Sequence, residues 1–425
     1  MMESRRRILL ITTFYPPHSF GGDAVYSWRL ANALAQDGHL VDVIHCADSY
    51  ELLAGSRLLP KPLPSHPNVS VHPLRSSFPL LVSLAGHQSG FPVGRGSRIA
   101  AVIGNKEYDV IHFNNISLFG PGILGLTPPG RKPIKLLSVL EYWLVCPAHL
   151  LWKFGDRPCD SEQCLECVIR SRRPPQLWRH TGLLERMAAE VDGFLVPSRA
   201  VSRIHAERGF PMETQHHLPL FTEVPEDDEL SSFGEPFGEP YFLFAGRLEP
   251  LKGLEDLLAA WQRVGNCRLV IAGDGSQLES LRRRTAGAPA IQVLGHVSPP
   301  DLAGLYRHAR ACIVPSSFEE PFGLAAIEAL AYRTPVIARD IGGLREIVGE
   351  SGGGLLFQTV AQLTESILRL REDDALRESL ARRGYRACAQ HWSRPAHLRR
   401  YYQIVSGIEA TKDRSVSPSL SESRR

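Results

Sequence analysis

The sequence predicts an α/β protein built from two doubly wound parallel-sheet domains in series. Three observations lead there. At 425 residues the chain is too long for one ordinary domain. Short β-branched runs alternate with helical patterns twice over, across residues 6–222 and again from 241. The predicted strands are continuously apolar, as in parallel sheets covered by helices on both faces. Composition agrees: 43% hydrophobic and 22% charged residues describe a globular chain, not a disordered one. A net charge of +3, from 48 basic and 45 acidic residues, argues against a dedicated nucleic-acid binder.

In the first half the predicted strands are Arg7–Thr13, Leu40–Cys46, Val69–Leu74, Asp109–Asn114, Ile134–Leu140 and Gly193–Pro197. Amphipathic stretches at Ala24–Gln36, Ser97–Gly104, Gly182–Glu190 and Ala200–Gly209 read as helices between them. Residues 1–222 form the first predicted domain, and the acidic, Pro- and Gly-rich residues 223–240 read as a linker. The second domain is expected over 241–393, with strands at Tyr241–Ala245, Arg268–Ala272, Ile291–Leu294, Ala311–Val314, Pro335–Ala338 and Gly354–Phe357. Residues 394–410 read as a terminal helix, and the Ser-rich, aromatic-free 411–425 as a disordered tail. No apolar run approaches the ~18 residues of a membrane span. The run Ile8–Thr13 is too short for a signal peptide. The chain is therefore expected in the cytoplasm.

Ligands of open parallel sheets bind beyond the carboxyl ends of the strands. Neither half carries GxGxxG after its first strand, which argues against a dinucleotide-dependent dehydrogenase. The segment Glu320-Pro321-Phe322-Gly323-Leu324 reads as a helix start with Pro321 as first residue. Its free backbone N–H groups make an anion site, and Gly323 lets a phosphate approach closely. Glu328 stands eight residues beyond Glu320, about 12 Å along a helix. Carboxylates that far apart suit the two ends of an elongated ligand, such as a nucleoside diphosphate sugar. A plain amphipathic helix with a charged N-terminus fits the same spacing. Arg247 and Lys252 follow the strand Tyr241–Ala245. A guanidinium fork and a mobile ammonium suit a diphosphate, although a solvated basic pair reads alike. Turns at Gly273-Asp274-Gly275, Ile341-Gly342-Gly343 and Gly21-Gly22 bring backbone to the same edges.

Four of the eight cysteines, Cys146, Cys159, Cys164 and Cys167, fall within 22 residues. They mark an insertion at about 143–175. Structural zinc, an iron–sulfur cluster, buried reduced thiols and a redox pair are the competing readings. Arg170, Arg172, Arg173, Arg179 and Arg186 interleave with Leu177, Trp178, Leu183 and Leu184. That patch reads as a solvated basic face with a core-facing apolar side, or as peripheral contact with the inner face of a membrane.

Taken together, Glu320-x7-Glu328, Gly246-Arg247-Leu248 with Lys252-Gly253, Gly273-Asp274-Gly275 and Gly342-Gly343-Leu344-Arg345-Glu346 resemble the retaining glycosyltransferases of family 4. The similarity is strongest from 241 to 360. Gly21-Gly22 and Val196-Pro197-Ser198-Arg199-Ala200 extend it to the first half. The resemblance implies a GT-B fold, two Rossmann-like domains facing a central cleft. It implies a nucleotide-diphosphate sugar as donor substrate, no organic cofactor, and a sugar, lipid-linked or small-molecule hydroxyl acceptor. It implies that Arg247 and Lys252 bind the diphosphate and that Glu328 holds the ribose hydroxyls. Glu320, with the backbone of Phe322, Gly323 and Leu324, would face the donor sugar and phosphate. Gly21, Gly22, Gly273 and Asp274 would line the donor site. The terminal helix would cross back to the first domain. One position departs from the family: Leu140 stands where a histidine is usual before Tyr142-Trp143, with Glu141 and His112 as candidate replacements. An epimerase, a phosphorylase and a non-catalytic nucleotide-sugar-binding scaffold are the rival readings.

Overall fold

The computed structural model describes residues 5–55, 62–130, 132–265 and 267–416, without the side chains of 415 and 416. Strands β1 (Arg7–Ile11), β2 (Leu40–Cys46), β3 (Val69–Leu74), β4 (Val110–Phe113) and β5 (Ile134–Ser138) belong to the first half. A short hairpin follows, β6 (Trp152–Lys153) with β7 (Arg157–Pro158), then β8 (Gly193–Val196) and β9 (Gln215–His217). The first sheet runs β3-β2-β1-β4-β5-β8-β9, with every pairing parallel. The second contains β10 (Tyr241–Ala245), β11 (Arg268–Ala272), β12 (Ile291–Gly295), β13 (Cys312–Val314), β14 (Val336–Arg339) and β15 (Gly354–Phe357). Its order is β12-β11-β10-β13-β14-β15, again parallel.

In each sheet the chain winds outward from its first strand and then returns to that strand's other side. The switch points therefore lie between β1 and β4, and between β10 and β13. The central strands are buried on both faces; Leu9, Leu10, Phe242 and Leu243 are wholly inaccessible. This accounts for their continuous apolar character.

Several elements depart from the sequence expectation. Helices Ala47–Ala54 and Pro79–Ser89 lie where none is predicted, and helix Asp227–Ser232 lies inside the stretch read as linker. The segment at 321 is not a helical first turn. Helix Leu324–Ala331 starts later, with Gly323 as its cap at φ +128. The glycine turns the chain there in a way Pro321 cannot. The last helix, Arg394–Val416, continues through six of the residues expected to be disordered. Lys412 explains part of this, because it pairs with Asp192 of the first half at 2.6 Å. Residues 417–425 of the expected tail lie outside the described residues.

That last helix joins the halves. Its Glu409 holds Arg6 at 2.6 and 3.0 Å. His397 donates through Nδ1 to the Pro219 carbonyl at 2.8 Å, so Nε2 accepts from the Tyr26 hydroxyl at 3.3 Å. Tyr401 stacks on His112, with centroids 5.6 Å apart, and His112 Nε2 lies 2.7 Å from the Ser138 hydroxyl. The two connections between halves run side by side, bridged at Thr222 and Ser393.

Both histidines are buried and neutral. Burial lowers His112 to about 3 and His397 to about 4. The unfolded chain, with histidines near 6.5, binds protons that the folded chain refuses. Their contribution to stability is complete above pH ~6.5 and declines below it by roughly 1.4 kcal/mol per unit for each. For His397 it is gone once pH passes about 4. Melting temperature is expected to fall between pH 7 and 5, with a shallower slope in His397→Gln; thermal melts across that range measure both.

Candidate active site

The two switch points face each other. Gly21 caps helix Gly22–Gln36, which follows β1, and a side chain built on it would lie 3.6 Å from Arg247 Nε. Gly22 approaches Leu324 so closely that a Cβ would stand 2.9 Å from its Cδ1. Asn115, beyond β4, holds the Asp23 carboxylate at 2.9 Å. Burial, and then the nearby Glu141 charge, push the Asp23 carboxyl up from its usual range.

On the second half, backbone packs on backbone. Gly253, just after Lys252, has φ +73, and a Cβ there would come within 1.9 Å of the Pro315 carbonyl. The Lys252 turn is thereby pressed against the end of β13. Gly342 (φ +52) is excluded from bearing a side chain in the same way by the Glu320 carbonyl, while Gly343 N–H donates to that carbonyl at 2.8 Å. Arg247, Lys252, Glu320 and the start of helix Leu324–Ala331 are thus held at one sheet edge.

Lys252 Nζ lies 2.5 Å from Glu320 Oε1, which also accepts from the Ser316 hydroxyl at 2.7 Å. The ammonium sits 4.9 Å from the centre of the Phe318 ring. Arg247 is exposed and makes no ion pair or hydrogen bond among the described residues. Nor do the amides of Phe322, Gly323 and Leu324 meet an acceptor among them. Gly273 sits at the end of β11, where its amide donates to Gly295, and Asp274 accepts from its own turn at Gly275 N (2.7 Å). Two unpaired donor sets and one half-engaged ammonium therefore converge on a cleft, an arrangement suited to an anion.

Glu328 is oriented by partners that sequence reasoning missed. Arg29 of the first half reaches it at 2.6 Å and the Tyr306 hydroxyl at 3.2 Å. The halves also meet at Ser198, whose hydroxyl donates to the Pro321 carbonyl at 2.7 Å. Glu346 accepts from the Arg199 and Ala200 amides at 2.9 and 2.7 Å. It caps helix Arg199–Glu207 from the opposite half.

The family model described as "Glycosyltransferase Family 4" matches residues 20–221. That described as "Glycosyl transferases group 1" matches residues 226–387. The chain belongs to the family 4 glycosyltransferases. It is similar to a glycogen synthase of Mycobacterium tuberculosis, 36% identical over 410 residues, 88% of each chain. Among solved structures it resembles a sucrose-phosphate synthase from Thermosynechococcus elongatus (TM-score 0.71, 23% identity, 96% of this chain and 100% of that one). It also resembles HepE of Anabaena in complex with UDP-glucose (TM-score 0.60, 16% identity, 96% and 100%). These neighbours share the GT-B fold. The transferase is thus an enzyme with two Rossmann-like domains, as expected.

The insertion bears on two expectations. All four cysteines line one narrow cavity of about 20 Å³, yet no three His, Cys, Asp or Glu side chains among the described residues are arranged to hold a metal. Cys159 and Cys167 accept instead from Arg208 and from the Phe154 amide. Burial, and further the charges of neighbouring cysteines, raise the Cys146 and Cys164 thiols. A zinc or iron–sulfur centre is therefore not supported among the described residues. The basic patch turns its apolar side to the core, as the sequence reading has it. Trp178, Leu183 and Leu184 are buried, and Arg179 lies against the Trp143 and Trp178 rings while bonding the Trp143 carbonyl at 2.6 Å.

Leu140 packs against the core shared by the two halves, and His112 points into the returning helix. Glu141 instead meets His149, whose Nδ1 is 3.1 Å from both carboxylate oxygens. His149 has φ +75, a conformation rare for a residue with a side chain. Nothing in the spacing marked it, since a hairpin-bearing insertion delivers it. No helix among the described residues is long and apolar enough to cross a membrane.

The cap from Glu346 makes a measurable claim on the transferase. Glu346→Ala is expected to cost about 0.5–2 kcal/mol. It should also speed hydrogen exchange at the Arg199 and Ala200 amides; a chemical melt and exchange mass spectrometry read these separately.

Proposed function

We propose that the enzyme transfers a sugar from a nucleoside diphosphate sugar to a hydroxyl acceptor with retention of anomeric configuration. The observation that carries the reading is the convergence of Arg247, Lys252 and the open amides of Phe322–Leu324 at one switch point, opposite Gly21 and Gly22. Charge grows on the diphosphate as the anomeric carbon–oxygen bond breaks, and fixed positive groups there stabilise the transition state. Lys252 keeps donors free beyond the one held by Glu320, so Glu320 aims the ammonium while phosphate oxygens take the rest. Glu328, held by Arg29 and Tyr306, faces the ribose. The acceptor hydroxyl attacks from the face the phosphate leaves. Its proton passes to the departing phosphate oxygen, and the nucleoside diphosphate is released. HepE, a neighbour in fold, binds UDP-glucose, which favours a uridine donor.

His149 supplies the imidazole that Leu140 does not. Glu141 engages Nδ1, and Nε2 has no partner among the described residues, so it is the group that reaches a sugar hydroxyl.

Incubation with uridine, guanosine and adenosine diphosphate sugars tests the reading. Release of nucleoside diphosphate, with transfer or slow hydrolysis, is the expected result. Isomerised donor, phosphorolysis or binding without turnover would overturn it in favour of an epimerase, a phosphorylase or a scaffold. Lys252→Ala is expected to lower kcat/KM about 10²–10³-fold and to cost about 1–3 kcal/mol of stability, since Glu320 loses its cation. Unchanged turnover would remove the phosphate role. His149→Ala should lower kcat/KM about 10–100-fold, with partial recovery in His149→Gln and unchanged affinity for the free nucleoside diphosphate. Calorimetry beside steady-state kinetics distinguishes a sugar contact from a nucleotide contact.

A further inference from the structure

Helix Pro79–Ser89 is turned inside out. Its buried positions are Ser83 and Gly86, while Leu80 and Leu81 are 61% and 62% exposed. Leu84 follows at 41%. At 100° per residue the three leucines share one side and the two small residues the other. The inversion is built in. The Ser83 hydroxyl is 2.9 Å from that of Ser49 and 3.3 Å from Arg95 Nη2. Arg95, itself buried, holds Asp48 at 3.1 Å and Ser49 at 2.6 Å. A Cβ on Gly86 would stand 3.3 Å from the Phe91 carbonyl, so a side chain there would press on that backbone. A buried polar network thus seats the small face inward and leaves the leucines outward.

The exposed surface continues on either side. Phe78 precedes the helix, Phe91 follows it, and Leu53 extends from the adjoining helix Ala47–Ala54, each more than 40% exposed. Among the described residues, eight of the eleven exposed large apolar side chains fall between 52 and 93. An apolar surface of this kind marks an interaction site. Residues 52–106 contain no Asp or Glu; at the margins Arg98 is exposed, and Arg75 is exposed but paired at 2.6 Å with Glu51 of the adjoining helix. The Arg173 charge also reaches this face, where it adds to the burial that lowers His87.

We propose that this face rests on an anionic lipid bilayer, with the leucines and phenylalanines entering the interface and the arginines meeting headgroup phosphates. A surface of alkyl and aryl groups whose margins carry more arginines than carboxylates matches that solvent boundary. Its position bears on the reaction. Tyr50, on helix Ala47–Ala54, packs on Phe20 with centroids 4.5 Å apart, one residue before Gly21. The face therefore borders the first-half wall of the cleft. Resting on the transferase reading above, this places the acceptor hydroxyl on a lipid-borne molecule.

The full chain is sedimented with phosphatidylglycerol–phosphatidylcholine vesicles and with phosphatidylcholine alone, at low and high salt. Expected is binding to the anionic vesicles that weakens with salt. In the Leu80→Ser, Leu81→Ser, Leu84→Ser triple variant, partition should fall about tenfold or more while nucleotide-sugar turnover persists. Failure of the wild type to sediment with anionic vesicles at low salt overturns the proposal. So does equal binding by the triple variant, or a wild-type dimer in sedimentation velocity that the variant abolishes. Vesicle binding without turnover of any donor supports the surface and removes the transferase reading, so the two stand apart.

Discussion

Helix Arg394–Val416 leaves the second half and lies along the first, and the facing of the two sheet edges depends on that return. Its contacts are of two kinds. His397, Tyr401 and their partners are buried, with the imidazole satisfied at both nitrogens in its neutral form. Arg6–Glu409 and Lys412–Asp192 are ion pairs nearer the surface, each worth little alone. The buried set decides the geometry, because a misplaced neutral imidazole would leave polar atoms unsatisfied in an apolar core. The paired connections at Thr222 and Ser393 leave few ways for the halves to rotate.

Within that frame the cleft is assembled from short range. Backbone packed on backbone at Gly253 and Gly342 fixes where Lys252 and Glu320 stand, and their contact orders the ammonium before any ligand arrives. Contacts across the cleft are fewer and more polar: Ser198 to Pro321, Glu346 to the Arg199 and Ala200 amides, Arg29 to Glu328. Two are hydrogen bonds to backbone groups and the third a half-buried ion pair, whereas the returning helix is joined through buried side chains. A cleft that must admit a donor and then exclude water has use for that asymmetry.

The first half shows the complementary arrangement. Arg95 and Asp48 form a buried ion pair further hydrogen-bonded by Ser49, Ser83 and Ser76, while Arg95 Nε meets no acceptor among the described residues. Such a pair contributes little net stability but is costly to break. It holds helix Pro79–Ser89 with its apolar side outward.

Much of this was legible in the residues alone. Continuous apolar strands alternating with helices specify parallel sheets covered on both faces. Glu320, Glu328, Arg247, Lys252 and the glycine turns were legible because the carboxyl edge of a parallel sheet gathers the loops that leave its strands. Helix Pro79–Ser89 was not, because its outward leucines contradict the periodicity by which helices are recognised. The cysteine spacing suggested a metal; the fold brings all four to one cavity, but spacing says nothing of where sulfurs point, and no ligand set is arranged among the described residues. His149 beside Glu141, Arg29 beside Glu328 and Glu346 capping the opposite half required the tertiary structure. Each is a pairing of residues distant in sequence or delivered by an irregular loop, and hydrogen-bond geometry between such groups is set by packing, not by local pattern.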